Sequence, residues 1–442
     1  MTTTDYAGKP GGKPVLPELL APAGSLDKLK IAVHYGADAV YLSGGPYSLR
    51  SRAALSSEEL VAGVAYAHRH RVKAYATVNI LAHNRDLGGL PEHIDLLRQA
   101  GVDAIIVADP GVFSLARRLA PELPIHLSTQ ANVTNLESAR FWQAQGVRRL
   151  NLARELGLSE LAEIRRAVGI ELEVFVHGAL CVSYSGRCAL SLYLNGRDAN
   201  LGQCTHPCRY RYALMEERRP GQYFPVEEDS RGAYIFNSKD LCLLHRLPDL
   251  ITAGTDAIKI EGRMKSAYYV GATVRLYRTA LDLISRRLDQ EGPEALTALR
   301  LPSAFAEELA KIGSRGYTEN FLHHPPGAED MQHQGSDYQP THVPAGIIRQ
   351  AGNPPLVEAR SPILLGDGLE YLAQGLKNAR TVVTKMTNAD GKLIRRANPG
   401  ALIQLATDPP LSAVAEFGLL RKGPPATTDA PEASLAGGTQ DA

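Results

Sequence analysis

The stretch YGADAVYLSG, Tyr35 to Gly44, returns as AGVDAIIVAD at Ala100 to Asp109, QGVRRLNLAR at Gln145 to Arg154 and AGTDAIKIEG at Ala253 to Gly262. Each copy sets a glycine just after a helical pattern and just before a short apolar run. A glycine at a helix end followed by a buried strand is the joint of a parallel α/β protein. Working outward from these joints gives eight strands: Glu18 to Ala21, Ala39 to Leu42, Ala74 to Asn79, Ala104 to Ala108, Ile125 to Ser128, Arg149 to Leu152, Leu172 to Val176 and Ala257 to Ile260. Eight strands with helices between them predict a (β/α)8 barrel. A doubly wound open sheet is the alternative, but its Gly-rich dinucleotide loop is absent after the first strand.

A barrel of this kind gathers functional groups at the carboxyl ends of its strands. Asn79, Asp109, Gln130, Glu155, His177, Glu261 and Arg263 stand at those ends, and each could equally cap a helix or bind backbone. Of these, His177, Glu261 and Arg263 are the candidates for chemistry. The barrel with its final helix spans residues 14–290, and a Cys-rich insertion at 179–250 precedes the last strand. It contains EERRPGQYFPVEEDSRG, a charged hairpin-like segment read as a solvated loop. Residues 291–340 form a connector rich in Pro, Gly and His with a helical piece near Phe305 to Ile312. Alternating apolar runs broken by Gly, Pro and Asn-Ala-Asp-Gly turns make 341–421 a small all-β barrel. The tail, 422–442, lacks the apolar content to fold.

The chain has 442 residues, 44% of them hydrophobic, and a formal charge of +1. Near-neutral balance gives no global electrostatic argument for nucleic acid or membrane. The start, MTTTDYAGKPGGKP, lacks the apolar core of a secretory signal, and no stretch approaches the ~20 apolar residues of a spanning helix. A cytoplasmic protein without membrane attachment is expected. In that reducing compartment clustered thiols are metal ligands or catalytic groups more often than disulfides.

All five cysteines fall between HGALCVSYSGRC and NSKDLC: Cys181, Cys188, Cys204, Cys208 and Cys242. Only Cys204 and Cys208 have the short separation of a zinc or cluster half-site. Thiolate softness restricts the metal to zinc or an iron–sulfur cluster, and spacing alone does not choose between them. Position does argue: the insertion leaves the barrel from its functional mouth, where a redox centre suits better than a bracing zinc.

EVFVHGALCVSYSGRCALS, followed in order by GQCTHPCRYRY, FNSKDLC and IKIEGRMKSAYYV, resembles the signature blocks of the U32 family, long labelled collagenase-like peptidases. The likeness runs from PELLAPAGS into the small β domain. Within the family the chain is most similar to the bacterial branch that hydroxylates the tRNA wobble uridine to 5-hydroxyuridine in a prephenate-dependent reaction. Sister branches hydroxylate 23S rRNA or the ubiquinone ring and carry a four-cysteine [4Fe-4S] cluster. The resemblance implies Cys181, Cys188, Cys204 and Cys242 as cluster ligands and leaves Cys208 as the spare thiol. It also implies tRNA and prephenate as partners, with an electron donor.

Oxygen insertion into a pyrimidine ring exceeds what side chains can do, so a redox cofactor carries it. Prephenate brings two carboxylates, for which Arg is the natural bidentate partner. Arg187, Lys239 and Lys265 are the candidates to hold it, with Arg197, Arg209 and Arg263 also near the cluster or strand ends. CRYRY interleaves Arg209 and Arg211 with Tyr210 and Tyr212, a combination able to hold phosphate and stack a splayed base. The small β domain is a second RNA-docking candidate. Competing functions are 23S rRNA hydroxylation, proteolysis and RNA binding without catalysis. The absence of a long C-terminal extension favours the tRNA branch. The peptidase label fits poorly: HExxH, GxSxG and Asp-Ser/Thr-Gly motifs are absent. Ser25 in SLDK mimics an SxxK nucleophile, but its place before an apolar helix is that of an N-cap.

Overall fold

A computed structural model describes residues 14–181, 183–209, 213–215, 223–225, 239–326, 330, 341–411 and 413–423. In it strands and helices alternate as the repeat requires. The first seven pairs of elements are β1 (Glu18–Pro22) and α1 (Leu26–His34), β2 (Ala39–Leu42) and α2 (Ser57–Arg69), β3 (Lys73–Val78) and α3 (Leu90–Gln99), β4 (Ala104–Val107) and α4 (Pro110–Leu119), β5 (Ile125–Leu127) and α5 (Leu136–Ala144), β6 (Arg149–Asn151) and α6 (Leu158–Ala167), then β7 (Glu171–Ala179) with α7 (Leu190–Asn195). The insertion continues with β8 (Ala213–Met215), β9 (Tyr223–Pro225), β10 (Asp240–Cys242) and α8 (Leu247–Thr252). The barrel ends with β11 (Ala257–Ile260) and the long α9 (Ala267–Glu291). β1 to β7 pair in parallel sequence, and β11 bridges β7 to β1. That closure makes an eight-stranded parallel barrel and rules out the open sheet.

The repeat has a structural reason. Gly36, Gly101, Gly146 and Gly254 all carry positive φ, where a helix must stop and turn into the next strand. Two residues later an aspartate clamps the neighbouring strand: Asp38 accepts from Leu19 N (2.8 Å), Asp103 from Ala74 N (2.7 Å) and Asp256 from Leu172 N (2.8 Å). In the third copy Arg148 takes the place of Asp and keeps only the backbone bond that all four copies make, its N donating to Ile125 O as Asp38 N does to Leu19 O.

Between strands and helices lies one large apolar core. The barrel interior is different. A small apolar cluster of Leu20, Tyr41, Tyr75 and Ile106 with Ala39 and Ala104 fills part of it. Below, Arg149, 3% exposed, reaches Glu18 (2.7 Å), Glu171 (2.7 Å) and Glu173 (3.3 Å), while Lys259 Nζ donates to Glu173 (2.8 Å). Buried charges of this kind hold only when paired.

Two features differ from the sequence reading. β10 returns antiparallel along β7, pairing Cys242 with His177 and Asp240 with Ala179. The connector contributes α10 (Ala295–Ala298), α11 (Ser303–Ala310) and β12 (Tyr317–Thr318), and β12 extends the barrel sheet by pairing with β10. β9, in the charged segment, pairs antiparallel with β8 just before it.

The second domain comprises β13 (Val343–Gln350), β14 (Leu356–Ala359), β15 (Ile363–Leu364), β16 (Gly368–Leu372), β17 (Asn378–Thr387), β18 (Leu393–Ile394), β19 (Arg396–Ala397), β20 (Leu402–Asp408) and β21 (Leu419–Lys422). β13, β14, β20, β17, β16 and β21 close into a six-stranded antiparallel barrel. It is pinned to the first barrel at several points. Tyr35 OH donates to Leu372 O and accepts from Leu419 N, both at 2.9 Å, and Arg349 pairs with Asp27 at 2.6 Å. Of the expected tail only Lys422, the last residue of β21, and Gly423 are among the described residues.

Candidate active site

The carboxyl ends of the strands surround a pocket whose lid is the Cys-rich insertion. β11 and the loop after it supply Lys259, Glu261 and Arg263. Arg263, 4% exposed, donates from Nη1 to Ser48 Oγ and Thr77 Oγ1, both at 2.8 Å, and its carbonyl accepts from Lys28 Nζ (3.0 Å). Its Nε has no partner among the described residues. Glu261 accepts from Tyr41 OH (3.0 Å) and lies 3.8 Å from Arg50. Burial pushes this carboxyl up, but Arg50, Arg263 and the Tyr41 hydroxyl outweigh burial and hold it below its ordinary value. Lys259 stands 4.5 Å from the Tyr41 ring centroid, and burial lowers its pKa against the pull of Glu173. With Arg154 these groups set four cations against one carboxylate in the lining, which is an electrostatic bias for an anion.

The floor, formed by groups at the strand ends, is polar. Asn79 donates from Nδ2 to Ser128 Oγ and Gln130 Oε1, each at 3.3 Å, and accepts from Leu49 N (3.3 Å). Ser128 also donates to Gln130. Asn151, at the end of β6, also lines the pocket.

The wall facing these groups is made of thiols. Cys181, Cys188, Cys204 and Cys208 all line the pocket, and none of the five cysteines forms a disulfide. Asn200 fixes the loop by accepting from Cys188 N (3.2 Å) and donating to Cys188 O (3.0 Å). Backbone N–H groups are aimed at two of the sulfurs: Leu190 N donates to Cys188 Sγ and His206 N to Cys204 Sγ, each at 3.4 Å. Hydrogen bonds to the sulfurs are among the features that tune cluster-bound thiolates. Four soft donors on one wall, two of them so supported, fit a thiolate-bound metal group in kind. Among the described residues no three His, Cys, Asp or Glu side chains converge closely enough to hold an ion.

Several expected site residues are elsewhere. Cys242 is outside the lining: it packs beside the core, 4.0 Å from Tyr277 OH, and burial pushes its thiol up to about 11. His177 is also outside. It is 1% exposed among Tyr269, Tyr277 and Tyr317, 3.3 Å from Tyr277 OH, and burial lowers its pKa to about 4. His177 pairs with Ile260 just past a register shift in the β7–β11 ladder. Arg187 reaches over the rim, its Nε donating to Gln130 O (2.7 Å). Lys239 packs along Gly316, and Lys265 stands 5.3 Å from the Tyr269 ring; neither lines the pocket. Asp109 caps α4 and Glu155 binds Ser185, both structural roles. Ser25 caps α1, accepting from Lys28 N. Arg209 ends a 3-10 turn, and Tyr210, Arg211 and Tyr212 lie outside the described residues. Arg50, Arg154 and Lys259 went unpredicted. A lysine inside the apolar run AIKI was the one visible signal, because a charge there must face a barrel interior.

A (β/α)8 barrel with thiols and cations collected over the carboxyl ends of its strands defines the class: a barrel protein with its chemistry at the mouth. The chain belongs to peptidase family U32, whose model matches residues 24–332. It is 36% identical to tRNA hydroxylation protein P1 of Bacillus subtilis over 92% of this chain and 95% of that protein. It is likewise 36% identical to tRNA hydroxylation protein P of Escherichia coli, over 85% and 90%. To the 23S rRNA 5-hydroxycytidine C2501 synthase of Escherichia coli it is 34% identical over 80% of this chain and 52% of that protein. Among the described residues no helix is long and apolar enough to cross a membrane.

Proposed function

We propose that this protein is an RNA hydroxylase that forms 5-hydroxyuridine at the wobble position of tRNA, with prephenate as co-substrate. The observation that carries the reading is similarity through both barrels to proteins named for tRNA hydroxylation. The pocket is consistent in its chemistry. Arg50, Arg154 and Arg263 offer guanidinium groups to a dicarboxylate, and Arg263 keeps an unpartnered Nε for it. Glu261, held ionised by its neighbours, is available to accept a proton at its carboxylate.

A [4Fe-4S] cluster, when bound, would supply the one-electron chemistry that side chains lack. Cys181, Cys188 and Cys204 belong both to the ligand set implied by the family and to the pocket wall. The fourth ligand is Cys242 by the family pattern and Cys208 by position in the wall. Ser25, spent as a helix cap, gives no support to a peptidase reading.

Nucleoside mass spectrometry of tRNA and 23S rRNA from a deletion strain tests the proposal. Loss of 5-hydroxyuridine from tRNA, restored by the gene, is expected. An intact tRNA profile with a missing 5-hydroxycytidine in 23S rRNA would move the substrate to rRNA. Protein purified without air should carry about four irons per chain, and zinc in their place would refute the cluster.

A further inference from the structure

Asn151 is the last residue of β6, is 2% exposed and lines the pocket, yet neither its Oδ1 nor its Nδ2 has a partner among the described residues. The other polar groups of the floor are engaged. Asn79 holds Ser128 and Gln130, and Thr77 holds Arg263 and Leu42 O. A buried amide with both atoms unpaired is costly, and native structures keep such groups where something else completes them. What completes this one must offer a donor and an acceptor side by side.

We infer that Asn151 reads the Watson–Crick edge of the pyrimidine being modified, an assignment that rests on the RNA-hydroxylase reading. Enzymes that act on a ring atom of a base take the base out of its stack into a pocket and recognise it by hydrogen bonds to this edge. Uracil presents an N3–H donor beside the O4 acceptor, so Oδ1 accepts from N3 and Nδ2 donates to O4. C5 stays outside this contact and open to reaction. Rotated by half a turn, the same amide pairs with cytosine, whose N3 accepts and whose N4–H2 donates. One residue thus serves either pyrimidine. Asn151 acts as a specificity-determining group, and Arg50, Arg154 and Arg263 of the same lining are left for the anionic co-substrate.

The test is a cycle between protein and RNA, run anaerobically with the full chain. Two anticodon stem–loops are compared, one with uridine and one with 3-methyluridine at the wobble position, where the methyl group removes the N3–H donor. The wild-type protein should prefer the uridine loop by about tenfold, the worth of one good base-edge contact. Asn151→Leu replaces the amide with an apolar group of similar shape, which costs little stability where the amide was unpaired. This variant and Asn151→Ala should bind both loops equally, at the weaker value, with iron content unchanged. A merely structural role would weaken both loops alike and keep the tenfold preference, and that result overturns the assignment. Wild-type binding with no preference overturns it too. Failure of the wild-type protein to bind either loop sinks the RNA reading and this inference with it.

Discussion

Glu261 and Arg263, two residues apart after β11, divide the work of the mouth between a charge that faces the cavity and a strut that builds it. Arg263 ties the β11 loop to Ser48 and Thr77, and its guanidinium is buried without a carboxylate in direct contact. Arg263→Gln should therefore cost about 1 to 3 kcal/mol, from hydroxyls left without their donor, and should lower modification further by releasing the loop. Urea denaturation and nucleoside analysis separate the two effects; unchanged stability would mean the strut is dispensable. The fourth thiolate is decided at the same scale. Cys208→Ala and Cys242→Ala, purified without air, are compared by iron content, and only one should lose the cluster. Loss of iron in neither variant would remove both from the ligand set. Residue by residue, the sequence exposed which side chains stand at strand ends but not where they point. Lys239 and Lys265 lie close in sequence to cysteines or strand ends and yet stay out of the lining, Lys239 along Gly316 and Lys265 beside the Tyr269 ring, because spacing along the chain does not fix where a side chain packs.

At the level of elements the repeat was legible because its glycine does mechanical work in all four copies and its aspartate in three of them. The aspartates close the gap between a helix end and the neighbouring strand by accepting a backbone N–H that the parallel ladder leaves open. Asp103→Ala should leave Ala74 N–H unsatisfied and destabilise the barrel by about 1 to 3 kcal/mol. Asp103→Asn, which keeps an acceptor oxygen, should recover much of that loss. If both variants melt like the wild type, water replaces the clamp and the aspartates do not explain the repeat. The strand β10 was illegible for the opposite reason. It is three residues long, lies inside the insertion, and takes its structure from β7 and β12 rather than from its own pattern. Gly178 marks the crossing, with φ of +111° and space so short that a Cβ would meet Glu261 O at 2.5 Å. Its position in the HGALC block thus reflects backbone contact as much as chemistry.

Across the whole molecule the two barrels are joined by buried charge, which neither domain's pattern alone could announce. Arg421 on β21, 0% exposed, donates to Glu370 (2.7 Å) of its own barrel and to Glu308 (2.8 Å) on α11, with Tyr268 OH of α9 at 3.4 Å. Arg275 of α9 also reaches Glu308, at 3.1 Å, so one carboxylate receives cations from both domains. Burial opposes ionisation of Glu308, but Arg421, Lys311 and Arg275 outweigh burial and bring its pKa down to about 2. A carboxyl with a depressed folded pKa stabilises fully above its ordinary value of 4.5 and loses that contribution as pH falls toward 2. Arg421→Met removes one partner and leaves two buried carboxylates underpaired, so it should cost about 3 to 5 kcal/mol near neutrality. It should also flatten the acid limb, because less of the Glu308 shift remains to be lost between pH 4.5 and 2. Denaturant midpoints measured across that window for both proteins check the two effects together. A variant as stable as the wild type at pH 7, with the same slope below 4.5, would show that the apolar contacts between the barrels hold them without this ion cluster.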